Sequence, residues 1–228
     1  MLDSSMEELI KEFRVTHNQF PQWLPRWNIA PTSHIPIVLE GPEGARSIAP
    51  ARWSLIPSWS TELTVPYATF NARSETAGQK PTFRGPLEHT RCLIPASGYY
   101  EWSEVGEKKL PNFVYRPALP LLAIAGLYSW WKGDGDESPL ATATILTRAS
   151  EGPLRAVHDR MPVLVTKEDW TSWLNPGHTD GAALLGKMSA SSAARADEFS
   201  HYRVAPLEGE GSELIQPLTK VSKGTLAR

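Results

Sequence analysis

Arg91-Cys92-Leu93-Ile94-Pro95 opens a stretch of four short runs, the others being 112–115 (Asn-Phe-Val-Tyr), 121–128 (Leu-Leu-Ala-Ile-Ala-Gly-Leu-Tyr) and 142–147 (Thr-Ala-Thr-Ile-Leu-Thr). All are rich in β-branched, aromatic and leucine residues, and Gly or Pro clusters divide them. Such side chains fit a pleated, half-buried surface, while Gly and Pro break the runs into turns. Together they predict a mainly antiparallel, barrel-like sheet system. Upstream, prolines 25, 31, 36, 42 and 50 cut the chain into short pieces, of which Ile35-Pro36-Ile37-Val38-Leu39 is the clearest strand. The expected class is α+β: one strand-dominated domain over 1–217 with a few short flanking helices, followed by a mobile tail over 218–228.

Helical signals are few. Ser5 and Glu8 form a capping-box pattern, and Met6, Leu9, Ile10 and Phe13 fall on one face of a helix over 4–13. Thr166–Leu174, with Lys167-Glu168-Asp169 in its first turn, and Gly181–Ser189 read as two later helices. The longest apolar stretch, Leu119–Trp131, is interrupted by Gly126 and falls short of the roughly 18–20 residues that span a bilayer, so it reads as one or two buried strands. No basic region followed by an apolar core opens the chain, so a cytoplasmic protein without membrane contact is expected.

The single cysteine, Cys92, excludes an internal disulfide and clustered thiolate metal sites. A net charge of −2 argues against coating duplex DNA by charge alone, but leaves room for a local basic groove. Between Arg46 and Arg91 six cations (Arg46, Arg52, Arg73, Lys80, Arg84, Arg91) face three carboxylates (Glu62, Glu75, Glu88), so any nucleic-acid face is expected in the middle of the chain.

Four segments set polar groups between aromatic or proline neighbours: 27–31, 71–76, 98–102 and 158–162. Glu101, between Tyr100 and Trp102, is either a desolvated carboxyl able to give and take a proton or a strand-end glutamate paired with an arginine. His158 beside Asp159 is either an oriented acid–base group or a hydrogen-bonded turn residue. Asn71 and Arg73, two apart on an extended segment, point to one face and suit a phosphate or an oxyanion; the alternative is a bonded loop and a surface ion pair. Trp53, Trp59 and Trp102 are either stacking surfaces for unpaired bases or core residues. Cys92 reads as a buried structural thiol.

Order and spacing are more specific than any one segment. Trp-Asn-Ile-Ala-Pro-Thr (27–32), Trp-Ser-Leu-Ile-Pro-Ser-Trp (53–59), Asn-Ala-Arg-Ser-Glu-Thr (71–76), Arg-Cys-Leu-Ile-Pro-Ala-Ser-Gly-Tyr-Tyr-Glu-Trp (91–102), Gly-Leu-Tyr (126–128) and His-Asp-Arg-Met-Pro (158–162) resemble the SOS-response-associated peptidase (SRAP) family. The segments 170–176 and 213–217 are similar to its closing segments, so the likeness runs from about residue 24 to 217. It implies a protein that captures abasic sites in single-stranded DNA without a cofactor or metal, as a monomer, associated with the nucleoid when acting. It further implies catalytic roles for Asn71, Glu101 and His158, phosphate contacts from Arg73 and Arg160, and a groove lined by Trp53, Trp102, Asn28 and Pro31.

In that family a cysteine after the initiator methionine becomes the mature N-terminus. Its amine condenses with the sugar aldehyde of an abasic site, and its thiol closes a thiazolidine. Here the chain opens Met1-Leu2-Asp3-Ser4 and enters its helix at once. The expectation is that about ten family residues are missing, through a start assigned downstream, a shortened chain or a natural variant. Two rivals follow: a non-covalent module that shields damaged strands, and a general peptidase.

Overall fold

The structure, a computed structural model, describes residues 1–133 and 138–218. Its strands are β1 (His17–Asn18), β2 (His34–Glu40), β3 (Arg46–Trp53), β4 (Asn71–Arg73), β5 (Arg91–Ala96), β6 (Tyr99–Val105), β7 (Lys108–Tyr115), β8 (Leu122–Trp131), β9 (Leu140–Ala149), β10 (Arg160–Pro162) and β11 (Ser200–Arg203). Helices α1 (Met6–Phe13), α2 (Pro81–His89), α3 (Trp170–Leu174) and α4 (Gly181–Ala193) lie between them.

The order β3-β2-β5-β8-β9 closes on itself because β9 also pairs with β3, through Arg52↔Thr142 and Trp53↔Ala143. The other four barrel pairings are antiparallel. The seam is parallel, and so are β1 on β3 and β4 on β9, which makes the sheet mixed. β6, β7 and β11 form a separate antiparallel sheet.

Alternation assigns the apolar residues to two layers. Cys92, Ile94, Ile37, Ala49, Ala51, Ala141 and Ala143 fill the barrel interior, where small side chains fit a narrow closed sheet. Leu93, Val38, Ile48, Ala125 and Leu127 face outward against Leu9, Phe13, Trp170, Trp173 and Leu185 of the helices. β5 is therefore buried on both faces.

The capping box is present: Ser5 Oγ accepts the Glu8 N–H at 3.2 Å, and the Glu8 carboxylate accepts the Ser5 N–H at 2.7 Å. Met6, Leu9 and Phe13 are buried, and Arg14 ends the helix in the left-handed region at φ 54°. The apolar run 119–131 yields one ten-residue strand, β8. α3 is short and follows a 3₁₀ turn at Lys167–Asp169, while α4 runs four residues past Ser189. α2 has no counterpart in the sequence reading. Gly85 and Pro86 lie inside it, yet Pro81 starts it and the burial of Thr82, Phe83 and Leu87 holds it. At its end Gly181 opens α4 so close to α2 that a Cβ there would stand 2.1 Å from the Leu87 carbonyl oxygen.

Two of the six central cations turn out to be structural. The Arg91 guanidinium is buried and donates to the carbonyls of Leu87, Glu88, Trp173, Asn175 and His178, which gathers the ends of α2 and α3 on one point. Arg46 pairs with Glu40 at 2.9 Å and also donates to Phe13 and Thr171. At the other end of the chain, the Leu218 N–H still donates to the Arg203 carbonyl at 2.8 Å. The remainder of the expected tail, 219–228, lies outside the described residues. Among the described residues no helix is long and apolar enough to cross a membrane.

Candidate functional site

β9 organises the site. Trp53 is in register with Ala143, Asn71 with Ile145, Arg73 with Thr147, and Arg160 with Ala149. Registered partners share a sheet face, and every second residue returns to it, so these four side chains stand on one face over six residues of β9, about 20 Å. Arg73 and Pro162 both pair with Thr147, which puts β4 and β10 on opposite edges of β9. Asn71 is exposed, and among the described residues its side chain makes no hydrogen bond. The Trp53 indole N–H donates to the Phe70 carbonyl at 2.9 Å and its ring meets Phe70 edge-on, which fixes the aromatic surface beside Asn71.

Glu101, on β6, has its carboxylate 26% exposed and 3.9 Å from His158 Nδ1. Burial raises its pKa above the usual carboxylate range, and the nearby His158 partly opposes this. The partner is thus a histidine and not the arginine of the alternative reading. His158 Nδ1 also lies 3.3 Å from the Asp159 carboxylate and accepts the Arg160 backbone N–H at 3.0 Å. Accepting that bond needs a lone pair on Nδ1, so the neutral ring carries its proton on Nε2. Tyr99, two residues before Glu101, has a buried hydroxyl that finds no hydrogen-bond partner among the described residues, and its pKa is raised by burial and by Glu101.

The structure therefore joins Glu101 to His158 directly and sets Asn71 apart from them. Asn71 and Arg160 are four residues apart along β9, about 13 Å, and two strands apart across it, about 10 Å.

Arg73 is exposed and forms no ion pair among the described residues. Arg160 is engaged: Nη1 and Nη2 grip the Glu75 carboxylate at 2.9 and 2.8 Å, and Nη2 also donates to the Thr147 carbonyl at 2.7 Å. That pair, chiefly through the Arg160 hydrogen bonds, lowers the Glu75 pKa to about 2. Trp102 is 42% exposed and Trp59 64% exposed, so both present ring surface to solvent. Asn28 donates its amide to the Gly209 carbonyl at 3.2 Å, and Pro31 is exposed. Glu75 and Tyr99 were not singled out from sequence, although both lie inside quoted segments; their partners are distant along the chain.

Cys92 is fully buried inside the barrel, and desolvation pushes its thiol pKa up. The Met1 amine donates to the Gly98 carbonyl at 2.8 Å, and burial lowers its pKa to about 5. Met1 packs with Phe113, Tyr100 and Val204. Tyr100 and Glu101 alternate along β6, so that cluster is on the sheet face opposite the Glu101 carboxylate. Among the described residues no group of three His, Cys, Asp or Glu side chains is placed to hold a metal ion.

Residues 1–207 match the family described as SOS response associated peptidase (SRAP). The chain belongs to the SRAP family. Relatives within reach include the abasic site processing protein YoqW of Bacillus subtilis, 36% identical over 223 residues, covering 94% of this chain and 96% of its own. The abasic site processing protein YedK of Escherichia coli is 30% identical over 204 residues, covering 87% of each. A crystal structure of a Bacteroides thetaiotaomicron protein, 21% identical, superposes with a TM-score of 0.82 over 96% of this chain and 98% of that one, which shows a shared fold.

Proposed function

We propose that this SRAP protein processes abasic sites in DNA and binds them in single strands, acting as a monomer. One observation supports this above the others: a desolvated carboxyl, Glu101, stands 3.9 Å from His158, while β4, paired with β9, carries the exposed Arg73 and Asn71, whose side chains form no ion pair and no hydrogen bond among the described residues. An abasic sugar opens to an aldehyde, whose oxygen needs a polar group; if an amine adds to it, the resulting carbinolamine needs a proton donor so that its hydroxyl can leave as water. Asn71 supplies the first and Glu101 the second, with His158 assisting ring opening. Arg73 meets a phosphate, while Trp53, Trp102, Asn28 and Pro31 line the groove; Arg160, gripped by Glu75, is not counted among the phosphate contacts.

A second reading concerns covalency. Capture as a thiazolidine needs a neighbouring amine and thiol, and the only thiol, Cys92, is sealed in the barrel. The Met1 amine, although largely neutral at pH 7, is buried and bonded to the Gly98 carbonyl. In a polypeptide that starts at Met1 the site therefore holds the lesion non-covalently. Peptidase action is confined, in this reading, to removing the protein's own initiator methionine where a nucleophilic residue follows it.

The test is a mobility shift with three probes: a single strand bearing one abasic site, the intact strand, and a continuous duplex. Preference for the abasic strand supports the assignment. Equal binding to duplex, or no binding, overturns it.

A further inference from the structure

The Glu75–Arg160 pair crosses β9. The turn after β4 carries Glu75 along one edge of that strand and β10 carries Arg160 along the other, yet two parallel N–H···O bonds of 2.9 and 2.8 Å connect them. The Thr147 carbonyl, midway between, accepts both the Ser74 N–H and Arg160 Nη2, each at 2.7 Å. Arg160 then uses its own backbone N–H on the His158 ring.

We propose that Glu75 and Arg160 are positioning residues: their two-pronged pair is a clasp over β9 that fixes the distance between Asn71 on one flank and His158 on the other. Its place in the reaction rests on the function proposed above for Asn71 and His158. A bidentate guanidinium–carboxylate contact fixes orientation as well as distance. Glu75 stays ionised down to a pH of about 2, so the clasp holds at any working pH. The pair is half open to water, with side-chain exposures of 19% for Arg160 and 49% for Glu75, so it adds little to stability. Its value is geometric. Displacing a reacting group by about 1 Å lowers rates on the order of a hundredfold.

The clasp and a direct phosphate contact by Arg160 make opposite demands on Glu75. A phosphate-binding Arg160 would be freed by Glu75→Gln, and the intact strand would bind more tightly. Under the clasp, Glu75→Gln and Arg160→Gln behave alike, and the double variant is no worse than either.

The experiment uses the full chain labelled with 15N-histidine, as wild type, Glu75→Gln, Arg160→Gln, the double variant and the charge-exchanged Glu75→Arg/Arg160→Glu. The wild-type His158 ring is expected as the Nε2–H tautomer alone. Each single variant should show a mixture of tautomers, and charge exchange should restore the single form. In parallel, the ratio of affinities for abasic and intact single strands should drop about tenfold in both single variants, with intact-strand affinity held within about twofold. An unchanged His158 spectrum in Glu75→Gln, or opposite changes in intact-strand affinity for the two single variants, overturns the clasp. If the wild type shows no preference for the abasic strand, the proposed function fails, and the ring spectra still decide the clasp.

Discussion

A carboxyl whose pKa burial raises, 3.9 Å from an imidazole nitrogen, holds its proton more tightly than a free one and is placed to pass it on and recover it. Glu101→Gln keeps the shape and removes the proton transfer. The expected result is unchanged affinity for single strands and a rate on abasic DNA reduced by roughly 10²–10⁴-fold in a chain given a reactive N-terminal cysteine. An unaltered rate in that assay removes Glu101 from the chemistry. Glu75 bears instead on how stability changes with pH, by a small amount because its pair with Arg160 is half open to water. Unfolded, it titrates near ~4.3, while folded it titrates at about 2, so its contribution is complete above the unfolded value and is lost as pH falls toward 2. Urea midpoints taken from pH 5 to pH 2 should therefore decline more in the wild type than in Glu75→Gln, and the two curves should meet at the acid end. Glu101 runs the other way: its folded pKa lies above its unfolded one, so stability falls as pH rises through that window. At this scale the sequence exposed the residue types but not the pairings. Glu101 offered either a histidine or an arginine as partner, and only the fold brings residue 158 to residue 101. Arg160 looked free because Glu75, its partner, is 85 positions away.

Arg91 shows what the central cations do among the elements. Its five carbonyl acceptors include the C-terminal ends of α2 and α3, where helices leave carbonyls without intrahelical partners. Arg91→Ala leaves buried carbonyls unsatisfied and should lower stability by about 3 kcal/mol or more, measured by urea unfolding. Arg91→Lys should recover only part of this, because an ammonium has three donors and no planar fork. A loss below about 1 kcal/mol for Arg91→Ala would show that water replaces the guanidinium. The capping box at Ser5–Glu8 and strands β2, β5, β7, β8 and β9 were legible because each is specified by neighbours in sequence. α2 was not. Gly85 and Pro86 contradict a helix locally, and tertiary burial of Phe83 and Leu87 outweighs them. The parallel pairings of β3 and β4 with β9 were equally hidden, since no local pattern records which distant strand will lie alongside.

For the molecule as a whole, the net charge of −2 means that attraction to DNA must come from a patch and not from the total. With Arg46 and Arg91 engaged inside, a small number of phosphate contacts remains. The slope of log affinity against log salt for a single strand should be shallow, about −0.7 for each phosphate neutralised, so a value of about −1.4 is expected for Arg73 and one further cation. A polypeptide starting at Met1, incubated with an abasic single strand and run on a denaturing gel, should give no heat-stable shifted band in the absence of reductant. Such a band would show that an amine and a thiol can meet despite the placement of Met1 and Cys92.

The parallel contact of β3 with β9 also dictates an order of events during synthesis. β3 emerges early and is covered on one side by β2, yet its other margin has only the two residues of β1 until position 149 has been made. A polypeptide halted before residue 140 would leave the margin of β3 at Arg52 and Trp53 uncovered, and such margins recruit strands from other molecules. Prematurely terminated products are thus expected to clump where the finished ring stays dispersed.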